Sequence, residues 1–132
     1  MKSYTDIEQS KRLAEILPID SSDMWWSKNF IYYNPTAAIG ISAEYSNVYT
    51  YKFGEDDIPC WSLAALLDIL KNRAYSIDED ANVSLSSYKN VEWWDLSISN
   101  LGLEAVTKSD LVDACVEMIF TLMIFTLKER KL

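Results

Sequence analysis

Histidine is absent from this chain. Its absence removes every Ser–His and Cys–His nucleophile pair, together with the commonest general base near neutral pH. Glycine is scarce, with three residues in 132. None stands in a GxGxxG or GxxxxGK[ST] pattern, so a phosphate-cradling loop has little to be built from. The two cysteines, Cys60 and Cys115, fall short of a structural zinc site without histidine to join them. Each lies in an apolar stretch, Pro59-Cys60-Trp61 and Ala114-Cys115-Val116, which predicts two reduced, buried thiols. A disulfide would require their Cα atoms within about 7 Å, which spacing along the chain does not determine. Long apolar runs are missing as well. The most apolar stretch, Ile119 to Leu127, is far below the roughly 20 residues that cross a bilayer. Residues 1–15 carry Asp6, Glu8 and Glu15 and no apolar signal segment. A cytoplasmic setting with no membrane partner is therefore expected. No catalytic residue, cofactor or metal ligand set is expected either.

Positive charge is in deficit. Twenty acidic residues against 12 basic ones leave a net charge of −8. Such a surface disfavours direct contact with nucleic acid, whose phosphates need Lys and Arg, and disfavours anionic lipid. It suits a basic protein partner, or solubility alone. Hydrophobic residues make up 49% and aromatics 13%, enough to build a core and to exclude global disorder. The length fits one domain spanning residues 1–132.

The local signals predict helices and strands in succession. Thr5 is a good N-cap and Glu8 stands at the capping-box position. Asp6 suits the positive end of the helix dipole, and Ile7, Leu13, Ala14, Ile16 and Leu17 recur at helical spacing. A helix over about 6–17 follows, stopped by Pro18. Met24-Trp25-Trp26 and Phe30-Ile31-Tyr32-Tyr33 favour strand, and Asn34-Pro35 marks a turn. Residues 38–41 and 48–51 read as two further short strands joined by Tyr45-Ser46-Asn47, before an acidic loop at Gly54-Glu55-Asp56-Asp57. Pro59 precedes a second helix. Ser62 is its candidate N-cap, it is apolar almost all round from Trp61 to Leu70, and it ends near Lys71-Asn72-Arg73. Val83–Ser86 and Val91–Ile98 alternate and predict a hairpin through Ser87–Asn90. A last helix starts near Ser109 and runs to about Lys128. Asp110, Asp113, Glu117 and Thr121 form its polar stripe. That stripe narrows after Glu117, so the second half of the helix is too apolar for an ordinary surface helix. Either it is the central helix, or its outer face meets another subunit. The expected class is α+β: a mostly antiparallel sheet of four to five strands packed against three helices.

The chemistry-bearing residues are few. Asp78, Asp80 and Asn82 match the first, third and fifth ligands of a calcium loop, but Val83 replaces its turn glycine and Lys89 its bidentate glutamate. This segment is a solvated acidic loop. Trp25, Trp26, Trp93 and Trp94 offer faces for sugar stacking near abundant carboxylates, though no carboxylate pair stands out by spacing. On a strand, neighbouring Trp residues point to opposite faces, so one ring of each pair is expected in the core. The acidic clusters Glu55-Asp56-Asp57 and Asp78-Glu79-Asp80 offer a phosphate-mimicking alternative, an inhibitor of a DNA-binding protein, against plain solubilising charge.

Three segments, Tyr4–Pro18, Ile58–Leu67 and Asp113–Ile119, together resemble a set of small proteins from gut Bacteroides-type genomes and their phages or mobile elements. The chain departs from that pattern at Lys71, where a proline is expected, and over Phe120–Leu127, which are more apolar. The resemblance implies a bacterial cytoplasmic setting and an accessory role, and carries no activity, cofactor or site residue. The expected function is accordingly that of a non-enzymatic accessory or regulatory protein acting through a protein partner of unknown identity. That partner includes a second copy of the chain, as a homodimer through the last helix. The candidate interaction residues are Trp25, Trp26, Trp93, Trp94, Phe120, Met123 and Ile124. The competing class is a small carbohydrate-binding or hydrolytic module. A carboxylate beside an exposed Trp in a pocket would favour that class, and a flat apolar patch along the last helix would favour interaction.

Overall fold

The computed structural model describes residues 1–33, 56–87 and 92–130. The strands foreseen at 38–41 and 48–51, the turns at 34–35 and 45–47, and most of the 87–90 link lie outside them. The chain divides into two compact units, Tyr4–Ala65 and a second made of Met1–Ser3 with Leu66–Leu132. The described elements are α1 (Ile7–Ala14), β1 (Met24–Ser27), β2 (Phe30–Tyr33), β3 (Asp57–Cys60), α2 (Leu63–Ile77), β4 (Val83–Ser87), β5 (Trp94–Ile98), β6 (Val106–Lys108) and α3 (Leu111–Arg130). A single 3₁₀ turn, Ile19–Ser21, follows Pro18.

The class is α+β, but the described strands form two three-stranded antiparallel sheets, β2-β1-β3 and β4-β5-β6, where one sheet of four to five strands was expected. The reason is pairing. Alternation decides which face a residue takes, while the partner of each strand edge is settled only when distant segments meet. In each sheet the middle strand has both edges occupied, β1 by β2 and β3 and β5 by β4 and β6. The outer strands β3 and β6 carry weak local signals. β3 contains Pro59, which an edge position tolerates because its missing N–H is not needed there. β6 has three residues, two of them polar.

In the unit Tyr4–Ala65, α1 is capped by Asp6 rather than Thr5. Asp6 Oδ1 accepts the Gln9 N–H at 2.8 Å, and Gln9 Oε1 accepts the Asp6 N–H at 3.1 Å. The capping box is thus one residue later than foreseen, closing on Gln9 rather than Glu8. Thr5 is released for another task. Its N–H donates to the Trp61 carbonyl at 3.0 Å, and its buried Oγ1 accepts the Trp61 N–H at 3.2 Å. The same hydroxyl bonds Ser10 Oγ at 2.7 Å. Helix α1 stops at Ala14, short of residue 17: the Glu15 and Ile16 N–H groups reach back only three residues, to the Arg12 and Leu13 carbonyls, the tighter bonding of a helix end. Leu13 and Leu17 are both buried. β1 and β2 close through Lys28-Asn29, which take φ of 52° and 69°. Positive φ at both central residues matches the type I′ turn, whose twist suits a two-residue hairpin. Asp23 holds the start of α2. Its Oδ1 accepts the Ser62 N–H at 2.8 Å and its Oδ2 accepts the Ser62 hydroxyl, while Ser62 Oγ accepts the Ala65 N–H at 3.2 Å. Ser62 is the foreseen cap, now seen to be braced by a second side chain.

In the other unit, α2 continues to Ile77, a turn beyond Arg73. Leu66, Leu70 and Ala74 are its buried residues, one stripe at four-residue steps. The remaining apolar side chains between them are half-buried or exposed. The β4–β5 hairpin pairs Val83 with Ile98 and Ser87 with Trp94. Asn100 and Gly102 take φ of 66° and 69°, the left-handed region where Asn and Gly are least strained, and turn the chain towards β6. The cap of α3 is Asp110, not Ser109. Asp110 Oδ1 accepts the N–H groups of Val112 and Asp113 at 2.9 and 3.3 Å. The first half of α3 is buried nearly all round: Leu111, Val112, Ala114, Cys115, Val116, Met118 and Ile119. Among its residues up to Lys128, Leu122 is the last buried one. No helix among the described residues is long and apolar enough to cross a membrane.

Candidate functional site

The seven candidate residues separate by environment. Trp25 is buried and stacks on Tyr32, its direct cross-strand partner, with centroids 5.4 Å apart. Trp26, on the opposite face of β1, is half-buried. It meets Tyr4 edge-on at 5.7 Å and donates its indole N–H to the Thr5 carbonyl at 3.1 Å. Both rings serve the packing of their own unit. The fifth tryptophan, Trp61, is fully buried and donates to Ser21 Oγ at 3.0 Å.

Trp93 and Trp94 differ from these three. Trp93 precedes β5 and is 44% exposed, and Trp94 is half-buried at the start of the strand. Together with Met1, Ser87, Glu92, Ser109 and Asp110 they line a cleft of about 480 Å³. β4 and β5 position it because their register sets Ser87 against Trp94. The N-terminal end of α3 supplies Asp110. The Asp110 carboxylate is already engaged, by the helix cap on one oxygen and by the Lys2 N–H on the other at 2.7 Å. Glu92 is exposed.

On α3, Phe120 and Met123 are half-buried, and Ile124 and Leu127 are each 54% exposed. At about 100° per residue, Phe120, Met123, Ile124 and Leu127 share an arc of about 100°. It lies opposite the arc of Cys115, Met118 and Leu122, which are buried. The outward face that carries Asp113 and Glu117 in the first half of the helix therefore becomes apolar in the second. Leu127, part of this stripe, was not among the candidates; its seven-residue spacing from Phe120 is the signal that could have found it. Glu117 is paired with Lys108 at 3.0 Å, which joins α3 to β6.

A second depression, of about 380 Å³, lies between α2 and β4, with Leu67, Tyr75, Val83 and Leu85 among its walls. The acidic segment Asp78–Asp80 is a local turn in which Asp78 Oδ1 accepts the Asp80 N–H at 2.8 Å. Glu55 lies outside the described residues, Asp56 is exposed, and Asp57 begins β3. Among the described residues no group of three or more metal-ligating side chains comes together.

Both cysteines are buried and unpaired as thiols. Burial pushes the Cys60 thiol up, against the opposing effect of hydrogen bonds from Thr5 and Ser10, and the charge of Asp23 adds to the rise. The Cys60 S–H reaches the Thr5 carbonyl at 3.4 Å. Burial pushes Cys115 up to about 12, with the charge of Asp110 contributing. Neither is a thiolate at neutral pH, and the thiolate is the nucleophilic form. A pH dependence follows. The Cys115 thiol of the unfolded chain ionises near pH 9, that of the folded chain near 12. Between those values the folded state keeps a proton that the unfolded state has lost. Stability therefore falls as pH rises, by up to about 1.4 kcal/mol per unit from this group. Urea midpoints measured from about pH 8 to about pH 10.5 are expected to fall less steeply for Cys115→Ala than for the parent. Parallel profiles would show that the thiol ionises alike in both states.

No protein-family model, curated protein or solved structure shows significant similarity to the chain.

Proposed function

We propose that this protein is a non-enzymatic accessory or regulatory module that acts by protein–protein contact, and that the outer face of α3 between Phe120 and Leu127 is its contact surface. The observation that carries this reading is the reversal along one helix. Where the polar stripe ends, the apolar side chains that continue it stand at the surface, and Ile124 and Leu127 are each more than half exposed. Contiguous apolar surface of this kind commonly marks an interaction site.

The occupant we assign is a second copy of the chain. The spacing Phe120, Met123/Ile124, Leu127 is that of a helix-pairing seam. A two-fold antiparallel arrangement sets Phe120 of one helix against Leu127 of the other, the self-complementary geometry of the commonest dimers. It also brings the Lys128 end of each helix towards the Glu117 end of its partner. The buried, reduced thiols agree with a cytoplasmic setting, and the acidic balance disfavours nucleic acid as a direct partner.

Sedimentation velocity over a range of concentrations tests this. A monomer–dimer equilibrium is expected, strengthening at high salt because screening weakens the repulsion between two chains of charge −8. Ile124→Asp combined with Leu127→Asp should leave a monomer at every concentration. A parent chain that stays monomeric at the highest concentrations, in low and high salt alike, would refute the assignment.

A further inference from the structure

We infer that the cleft of Trp93 and Trp94 is a binding site for a neutral saccharide. The argument begins with how the five indoles of the chain are used. Trp26 and Trp61 spend their N–H groups on protein oxygens, and Trp25 lies in a stack. Trp93 and Trp94 have neither a hydrogen bond nor a ring partner among the described residues, and both line the same cleft. A buried indole N–H normally finds a protein partner. These two indoles are partly exposed, so water serves their N–H groups in the free protein, and both rings border one concavity. Its volume, about 480 Å³, falls within the range of small-molecule sites, about 300–1,000 Å³.

The other polar groups decide the ligand class. Ser87 and Ser109 each bring a hydroxyl that can donate and accept, and Glu92 brings a carboxylate that only accepts. None of the three is engaged elsewhere among the described residues. The cleft therefore offers donors and acceptors together beside the exposed ring of Trp93. An anionic ligand would meet the Glu92 and Asp110 carboxylates. A tetraalkylammonium ion would suit the ring and Glu92, but would offer no acceptor to the Ser87 and Ser109 hydroxyls. A sugar satisfies the whole set. Its hydroxyls both give and receive hydrogen bonds, and the C–H face of its ring is apolar enough to lie on an indole.

The test uses the full chain labelled with ¹⁵N, whose five tryptophans give five indole N–H signals. Trp93→Phe and Trp94→Phe identify the two that belong to the cleft. Cellohexaose, maltohexaose and xylohexaose are each titrated to about 10 mM, the range of weak binding. At least one is expected to shift the two cleft signals to saturation while those of Trp25, Trp26 and Trp61 stay in place. Trp93→Ala should weaken that binding about tenfold or more, and Glu92→Gln several-fold. The unmoved signals of the other tryptophans report that each variant is folded. The inference is overturned if none of the three hexasaccharides shifts the cleft signals. It is equally overturned if Trp93→Ala binds as well as the parent. It also falls if tetramethylammonium saturates the cleft in a Glu92-dependent way while the sugars do not.

Discussion

Trp61→Ala is expected to lower the stability of the folded chain by about 3–5 kcal/mol, a large part of the 5–15 kcal/mol typical of a domain. Trp61 is the largest fully buried side chain, and three of its polar groups hold the chain together. Its N–H and carbonyl form a two-way link with Thr5, and its indole N–H donates to Ser21. Truncation leaves the backbone link in place, removes the indole, and strips Ser21 of its donor. The cavity cannot close fully, because the segments around it are fixed by the Thr5 link and by β3 pairing with β1. Trp61→Phe separates the two effects. It keeps most of the buried volume and loses the indole hydrogen bond, which is worth about 1 kcal/mol. Urea unfolding followed by far-ultraviolet circular dichroism ranks the three proteins. If Trp61→Ala loses no more than Trp61→Phe, the indole volume is not holding the unit together.

The second large effect contrasts two positions on one helix. Ile119→Asp places a carboxylate at a site 1% exposed. An unpaired charge there must either be desolvated or take up a proton, and the expected loss exceeds about 4 kcal/mol. Ile124→Asp, five residues on, puts the same group where 54% of the residue meets solvent, and the fold should change by no more than about 0.5 kcal/mol. The second variant should lose self-association instead. Stability and sedimentation therefore move in opposite ways at the two positions. If Ile124→Asp unfolds the chain as Ile119→Asp does, residue 124 belongs to the core and the proposed contact surface does not exist.

The places where sequence and structure part company are instructive in themselves. Thr5 and Asp6 are both good N-caps by residue type, as are Ser109 and Asp110. In both pairs the aspartate takes the cap, and in the first the threonine is drawn into a buried network with Ser10, Cys60 and Trp61. No local rule separates two adjacent capping residues when the deciding partner lies 55 residues away. Lys28-Asn29 shows the same limit on a smaller scale. Asn tolerates a positive φ, but Lys does so only under the demand of the hairpin it closes. The Trp25-Trp26 dipeptide was legible as alternating positions on a strand, with Trp25 in the core. The second pair departs from that reading, because Trp93 stands before β5 and neither Trp93 nor Trp94 is buried. Which indoles would find partners was not legible, because Thr5, Tyr4 and Tyr32 reach Trp25 and Trp26 across the β2-β1-β3 sheet or from outside it.

Local chemistry was enough to determine the three helices, the strands at 24–27 and 30–33, the hairpin of β4 and β5, the Ser62 cap, the two buried thiols and the excess apolar character of the last helix. These follow from side-chain size, branching, charge and periodicity, which act over one or two turns of chain. Tertiary structure alone decided that the strands divide into two sheets and that Pro59 and Val106 belong to strands. It also decided that Trp93 and Trp94 share a cleft and that the apolar half of α3 turns its stripe outward. Each of these depends on which distant segments meet, and the free energy of that choice comes from surfaces that exist only once the chain has folded.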